Sequence, residues 1–352
     1  MPNNKFSKIP SIINDAKKGK MFILVDDKDR ENEGDLVIPG SKCTPKIINF
    51  MAKHGRGLIC LALSKKQIDK LKLPLMSPIN KSRMQTAFTI SIEAKKGITT
   101  GISAHDRAKT IQTAINLRVK KNDIVSPGHV FPLVARPGGV LERAGHTEAS
   151  VDISKLSKLN NSSVICEVMN EDGRMARLND LFKFSKKHKI KLASIEDIIS
   201  YRLKNEKLIS KVNTKVGISN KIGKIFIHNY KNNLENNINF AITKGTLSYN
   251  KSTPVRVLST RVNNKNIFSN FEIKKALKFL SKYKTFLLLI INNDNRKKMS
   301  DSNINTLRYY GIGAQIIKDL KVKKMILVSR RKKKIIGLEG FGLKIMKQII
   351  IK

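Results

Sequence analysis

The chain has 352 residues, 40% of them apolar, and a formal net charge of +42 from 69 basic and 27 acidic side chains, which gives room for two domains, each with its own core. The surplus is Lys scattered among Asn and Ile, steeper beyond residue 203; with no Trp and few aromatics for base stacking, it argues against a dedicated nucleic-acid surface and leaves an anionic substrate and at most non-specific nucleic-acid binding. Three cysteines (Cys43, Cys60, Cys166) are too few for a disulfide framework, residues 1–20 lack the apolar core of a secretory signal, and the longest apolar run, 286–291, is too short for a bilayer, so a cytoplasmic chain with no membrane partner is expected.

Strand-like and helix-like segments alternate through the first 200 residues. Residues 21–25 form a short apolar, β-rich run, and 44–53 open as a helix with Pro45 in the first turn. Residues 58–63 and 87–92 read as strands. Residues 103–117 read as a helix, with Ser103 and Asp106 at capping-box spacing. A strand over 164–169 leads into an Asn-Glu-Asp-Gly turn, and 194–201 is a short helix with a second box, Ser194 and Asp197. This is an α/β pattern. Residues 204–220 are polar and aperiodic and read as a linker. Beyond it, 224–228, 238–242 and 324–328 read as strands, and 272–283 and 304–320 as helices.

Four segments carry chemistry. Asp26-Asp-Lys-Asp-Arg-Glu-Asn-Glu-Gly-Asp35 packs six carboxylates into ten positions of a chain that is otherwise basic. Carboxylates that dense repel one another unless a cation neutralises them, and hard oxygen ligands suit Mg²⁺. In the second, Ser126-Pro-Gly-His129, a histidine follows a Pro-Gly turn and is expected on a loop, where catalytic groups concentrate. The third runs from Arg136 to Glu148 and is rich in glycine. Arg143 and Thr147 are suited to grip a phosphate, His146 to ligate a metal, and the segment leads into a helix whose N-terminus favours anions. In the fourth, Glu167 interrupts the apolar run 164–169 and is an acid/base candidate.

Together these segments resemble the 3,4-dihydroxy-2-butanone 4-phosphate synthase family. Ile48-Asn-Phe-Met-Ala-Lys-His-Gly-Arg-Gly-Leu-Ile-Cys60, Gly97-Ile-Thr-Thr-Gly-Ile-Ser103 and Asn170-Glu-Asp-Gly-Arg-Met-Ala-Arg177 extend the resemblance over residues 7–203. It implies a lyase that converts ribulose 5-phosphate into 3,4-dihydroxy-2-butanone 4-phosphate and formate through an enediolate, in the synthesis of riboflavin. It implies Mg²⁺ or Mn²⁺, two per site, with Glu31 and His146 as metal ligands. Arg30, Glu31, Asp35, Glu167 and the run Arg143, Ala144, Gly145, His146 and Thr147 match substrate-binding positions. His129 and Glu167 match positions needed for activity, while Glu33 and Asp35 are candidates for the first proton transfer. A homodimer is implied as well. Two positions depart from the family: His105 replaces a small residue, and Gln85 stands where Gly is common.

From residue 221 the chain resembles GTP cyclohydrolase II more weakly, best over 307–318 and 337–342. That family holds zinc with cysteines, and here no Cys follows Cys166. Residues 257–265 carry no thiolate, and Asn292-Asn-Asp-Asn-Arg296 replaces a Glu-containing segment. No zinc and no cyclohydrolase activity are therefore expected. The basic run 330–334 reads as a solvated loop or a weak anion site. The expected architecture is α/β (α+β): a mixed-sheet synthase domain over 1–203, a linker over 204–220, and a smaller, degenerate GTP cyclohydrolase II-like α/β domain over 221–352.

Overall fold

The structure, a computed structural model, describes the chain except residues 1–4, 29, 82, 220–221, 234–236, 263–265, 293–301, 332–341 and 352, and except the side chains of 219 and 302–310. It divides into two compact units, Met1–Ile199 and Ser200–Lys352.

In the first unit seven strands form one sheet: β1 (Phe22–Val25), β2 (Gly34–Pro39), β3 (Cys60–Ser64), β4 (Ile92–Ala94), β5 (Ile124–Ala135), β6 (Ser162–Glu167) and β7 (Lys191–Ser194). Their spatial order is β4-β5-β3-β6-β2-β1-β7. β1 with β7 and β3 with β5 are parallel and the other neighbours antiparallel, so the sheet is mixed, as expected. Among the described residues the α-helices that accompany them are α1 (Ile9–Lys17), α2 (Pro45–Phe50), α3 (Lys65–Leu71), α4 (Ala104–Ala114), α5 (His146–Leu156), α6 (Leu178–His188) and α7 (Ile195–Asn205), the last crossing the unit boundary.

Strand alternation sorts side chains to the two faces. Leu36, Ile38, Leu61, Leu63, Val130, Val164 and Cys166 pack with Ile48 of α2 and Ala108, Ile111 and Ala114 of α4 in one core. The opposite face receives α5, buried from His146 to Ser154. Small residues let this helix lie close to the sheet. Their hydroxyls are paired, Ser154 Oγ donating to Ser162 O (2.9 Å), Ser163 Oγ to Ser150 O (2.8 Å) and Ser150 Oγ to Thr147 O (3.0 Å). Helix α1 buries Ile9, Ile12, Ile13 and Ala16, an i, i+3, i+4, i+7 stripe, each large side chain contributing about 1.5–3 kcal/mol. Thr44 caps α2 and Ser103 caps α4, its Oγ accepting from Asp106 N at 3.0 Å, as the spacing predicts. The helix expected over 44–53 continues past α2 as a π-helical turn, Met51–Gly55, ending at Arg56 with φ 69°.

The second unit has a seven-stranded mixed sheet of β8 (Ile209–Ser219), β9 (Gly223–Asn232), β10 (Ile238–Lys244), β11 (Ser252–Thr260), β12 (Phe286–Asn292), β13 (Lys324–Ser329) and β14 (Lys344–Ile350). The spatial order is β14-β13-β11-β12-β10-β9-β8. Strand β12 is buried throughout, as a strand covered on both faces must be. Phe286, Leu288 and Ile290 pack with Ile273, Leu277 and Leu280 of α8 (Phe271–Leu280). Leu287, Leu289 and Ile291 pack with Ile312, Ile316 and Leu320, in or just after α9 (Ser302–Asp319).

Two sequence readings are corrected. Residues 204–220 are not a linker, because α7 runs to Asn205 and 209–219 form the edge strand β8 against β9. Val212, Val216 and Ile218 are exposed and Lys211 and Lys215 intervene, so composition hid a period-two pattern. The strand expected over 87–92 shrinks to β4, which begins only at Ile92. Ala87 O and Thr89 N still bond β5, but their partner segment contains Pro132, which has no N–H to continue the ladder.

Candidate active site

The acidic segment closes the β1–β2 hairpin, Val25 pairing with Gly34 at its mouth. Its hub is Asp26, a residue the sequence reading did not single out within the cluster. The buried Asp26 carboxylate accepts from Glu31 N (3.1 Å), Glu33 N (2.9 Å) and Arg30 Nη1 (2.8 Å), winding the loop around one side chain. A second unforeseen residue, Arg177, fastens the loop from outside through Glu31 O (2.7 Å) and Asn32 O (2.9 Å), with Glu33 Oε1 at 3.4 Å. Gly34 leaves room for the Leu181 side chain, whose Cδ1 would lie 2.5 Å from a Cβ there.

The first turn of α5 meets this loop. Gly145 is the N-cap and His146 the first helical residue. A Cβ on Gly145 would lie 2.3 Å from Arg143 Nη1. The ring of His146 is buried, with Nδ1 3.5 Å from Glu31 Oε2 and Nε2 3.9 Å from Asp35 Oδ1. That Nε2 has no hydrogen-bond partner among the described residues. Thr147 follows and is buried, as are Ala144 and Gly145. Arg143 donates to Glu148 Oε2 (2.7 Å), Met84 O (2.9 Å) and Thr86 Oγ1 (3.1 Å), tying residues 84–86 to the helix N-terminus.

Asp35 and Glu167 face one another across the β2–β6 register. Glu167 Oε2 accepts from Leu58 N at 2.9 Å, and a Cβ on Gly57 would stand 2.6 Å from that oxygen. Cys60 is buried nearby. Burial, with Glu167 and Asp35, pushes its thiol well above the usual range, so it is packing rather than a nucleophile. The acidic groups diverge in behaviour. Burial raises Glu31, but the His146 hydrogen bond and the charges of Arg30, His146 and Arg143 outweigh it and bring its pKa to about 2. Burial raises Asp35, and the charges of Glu167, Glu31 and Asp26 add to this against His146. Burial lowers His146, but the surrounding carboxylates, Asp35 first, reverse it and raise the ring above its ordinary value. Glu33 is raised by burial and by Glu31.

Ligand atoms of Asp26, Glu31 and His146 all lie within 4.8 Å of one another. Asp26 already serves three donors, which leaves Glu31 and His146, with Asp35 beside them, as residues that could hold a cation. An unpartnered buried imidazole nitrogen facing carboxylate oxygens fits a divalent ion. Arg30, Glu31, Glu33, Asp35, His146 and Glu167 are thus brought to one place. His129 is not in contact with them. It lies within β5 rather than on the expected loop, because the Pro-Gly turn is absorbed into a long strand. Its Nδ1 contacts Glu93 Oε1.

In the second unit, residues 263–265 and 293–296 of the segments compared with the zinc enzyme lie outside the described residues, as do 332–334 of the basic run and most of 337–342. Arg330, at the start of that run, pairs with Glu272. Among the described residues no His, Cys, Asp and Glu cluster of metal-binding size occurs besides Asp26, Glu31 and His146. All three cysteines are free and buried, and no described helix is long and apolar enough to cross a membrane.

Residues 10–201 match the family model for 3,4-dihydroxy-2-butanone 4-phosphate synthase, and residues 291–350 that for GTP cyclohydrolase II. Riboflavin biosynthesis protein RibBA of Aquifex aeolicus is 44% identical, over 99% of this chain and 93% of that protein. The crystal structure of a two-domain 3,4-dihydroxy-2-butanone 4-phosphate synthase from A. baumannii superposes with a TM-score of 0.83 at 38% identity, covering 98% of this chain and all of that one. A 3,4-dihydroxy-2-butanone 4-phosphate synthase solved in complex with two magnesium ions is 37% identical, covers 57% of this chain and 99% of its own, and gives a TM-score of 0.55.

Proposed function

The chain belongs to the 3,4-dihydroxy-2-butanone 4-phosphate synthase family, and we propose that its acidic loop and the start of α5 form the site that splits ribulose 5-phosphate into 3,4-dihydroxy-2-butanone 4-phosphate and formate for riboflavin biosynthesis. The observation that carries this reading is the buried ring of His146, whose Nδ1 faces Glu31 and whose unpartnered Nε2 faces Asp35. Glu31 and His146 would hold Mg²⁺ or Mn²⁺, two ions per site in the fuller reading. A bound cation would supply Lewis-acid stabilisation of the negative charge that develops on a carbonyl oxygen when the adjacent proton leaves.

The remaining work falls to side chains. Arg30 holds Glu31 in its charged form and offsets the charge of the loop. Asp35, with its raised pKa, is suited to take the first proton near neutrality, and Glu33 is the second candidate. Glu167, fixed by Leu58 N–H, and His129 move protons as the C1 hydroxyl departs, the skeleton rearranges and C4 leaves as formate. The phosphate is bound by Arg143 to Thr147, where the N-terminal end of the α5 dipole favours an anion. The expected assembly is a cytoplasmic homodimer.

GTP hydrolysis by the second unit is disfavoured, since no Cys follows Cys166 to hold zinc. Any nucleic-acid binding should be non-specific and collapse with salt. The test is formate release from ribulose 5-phosphate and Mg²⁺ by the full chain. Release abolished by chelator and by Glu31→Ala supports the site; release that survives both overturns it.

A further inference from the structure

We propose that Glu93 is a positioning residue for this reaction, its carboxylate holding one nitrogen of the His129 ring so that the other is presented to the substrate. The inference rests on the reading of His129 as a proton-transfer group. His129 Nδ1 contacts Glu93 Oε1, and the carboxylate is the more buried partner, 15% exposed against 45% for the ring. The fixed end of the pair is therefore Glu93, and the ring is the end that reaches outward.

Backbone irregularity creates this meeting. The β4–β5 register runs Ile92 opposite Val130 and then slips to Glu93 opposite Val125, so residues 126–129 have no partner in the ladder. Such a bulge re-aims side chains away from regular alternation. Here it carries His129 to Glu93, and Gly128 N is secured by Ser91 Oγ at 3.1 Å.

The slot for Glu93 is cut by two glycines. A Cβ on Gly101, which has φ +91°, would lie 1.6 Å from Glu93 Oε1, and one on Gly128 would lie 2.5 Å from Glu93 Cγ. Gly101 is itself held. Asp106 Oδ2 accepts from Gly101 N (3.0 Å) and Thr99 Oγ1 (2.7 Å), and Asp106 N donates to Ser103 Oγ (3.0 Å) at the cap of α4. The capped helix thus pins a turn, the turn shapes a slot, and the slot fixes a carboxylate on a histidine. A carboxylate on one ring nitrogen sets the tautomer and orientation of an imidazole.

The test uses the full chain with Mg²⁺ and ribulose 5-phosphate, comparing wild type, Glu93→Gln, Glu93→Asp, His129→Ala and the double variant Glu93→Gln/His129→Ala, all with matched unfolding midpoints. Glu93→Gln should lower kcat about 10–100-fold with KM within about twofold, and Glu93→Asp should recover part of the loss. In the His129→Ala background Glu93→Gln should cost nothing further. The imidazole ¹⁵N shifts of His129 should move in Glu93→Gln. Full activity of Glu93→Gln, or a loss that multiplies with that of His129→Ala, overturns the proposal. Full activity of His129→Ala overturns the reading beneath it, and that arm alone tells the two failures apart.

Discussion

Both units present a seven-stranded mixed sheet, yet they treat their buried histidines, His146 and His228, in opposite ways. In the second unit the histidine and a neighbouring tyrosine are satisfied locally. His228 sits between Thr214 Oγ1 (2.9 Å) and Thr243 Oγ1 (3.0 Å), and Tyr230 donates to Asp319 Oδ2 at 2.6 Å. In the first unit Asp35, Glu31 and His146 converge from a strand, a hairpin loop and a helix end, and His146 keeps an unpartnered nitrogen. Folding stability gains nothing from such an arrangement. Its natural complement is a ligand, so similar sheets can be scaffold in one place and site in another.

The sharpest way to break this comparison is to remove the ligand-ready groups. Glu31→Ala should reduce formate release by a factor on the order of 10³. Wild-type protein should gain thermal stability with added Mg²⁺ by mass action and lose it to a chelator, while Glu31→Ala should do neither. A variant that keeps the Mg²⁺-dependent rise in Tm would place the cation elsewhere. Asp26→Ala tests the loop rather than the ligand. It strands the N–H groups of Glu31 and Glu33 and the guanidinium of Arg30, so a loss of about 3 kcal/mol of stability and a fall in activity on the order of 10² are expected. Urea unfolding and formate assays on one preparation check both.

What could be read in advance follows the same division. Caps and periodic runs were legible because they are local: Ser103 and Ser194 accept the hydrogen bonds their spacing predicts. The site residues stood out because six carboxylates in a basic chain are conspicuous. Which of them organises the others was not legible, since Asp26 owes its role to a hairpin closed by β2, a strand the sequence reading did not mark. Arg177 and Glu93 were hidden for the same reason, as each acts across more than 30 residues. Strand β8 was missed because an edge strand with lysines between its valines has the composition of a linker.

In the second unit, proton linkage sharpens the contrast. Burial, with the nearby charge of Lys211, lowers the His228 pKa to about 4, against an ordinary value of 6.5. The unfolded chain therefore binds a proton between pH 6.5 and 4 that the folded chain does not, and stability should fall as pH drops through that window. The loss should reach roughly 2–3 kcal/mol by pH 4 and be absent in His228→Gln. Denaturant midpoints at pH 7 and 4.5 for both proteins check it. An unchanged wild-type slope would mean that His228 takes up its proton without cost, and the second unit would then also hold a group ready for a ligand.

The smallest expected effect concerns the segment that holds Arg143. Gln85 lies between Met84 O and Thr86 Oγ1, the two acceptors of Arg143 Nη2, and has φ 52°, a left-handed conformation that disfavours any residue with a Cβ. The resemblance marked this position as one where Gly is common, and the backbone supplies the reason. Gln85→Gly should remove the strain and, after the added freedom of the unfolded chain is subtracted, stabilise the protein by about 0.5 kcal/mol with formate release unchanged. A stabilised variant with impaired turnover would be more instructive. It would mean that the strained residue holds Thr86 and Arg143 in register at the N-terminal end of α5, so that backbone strain belongs with His146 Nε2 among the features this unit maintains for its ligand.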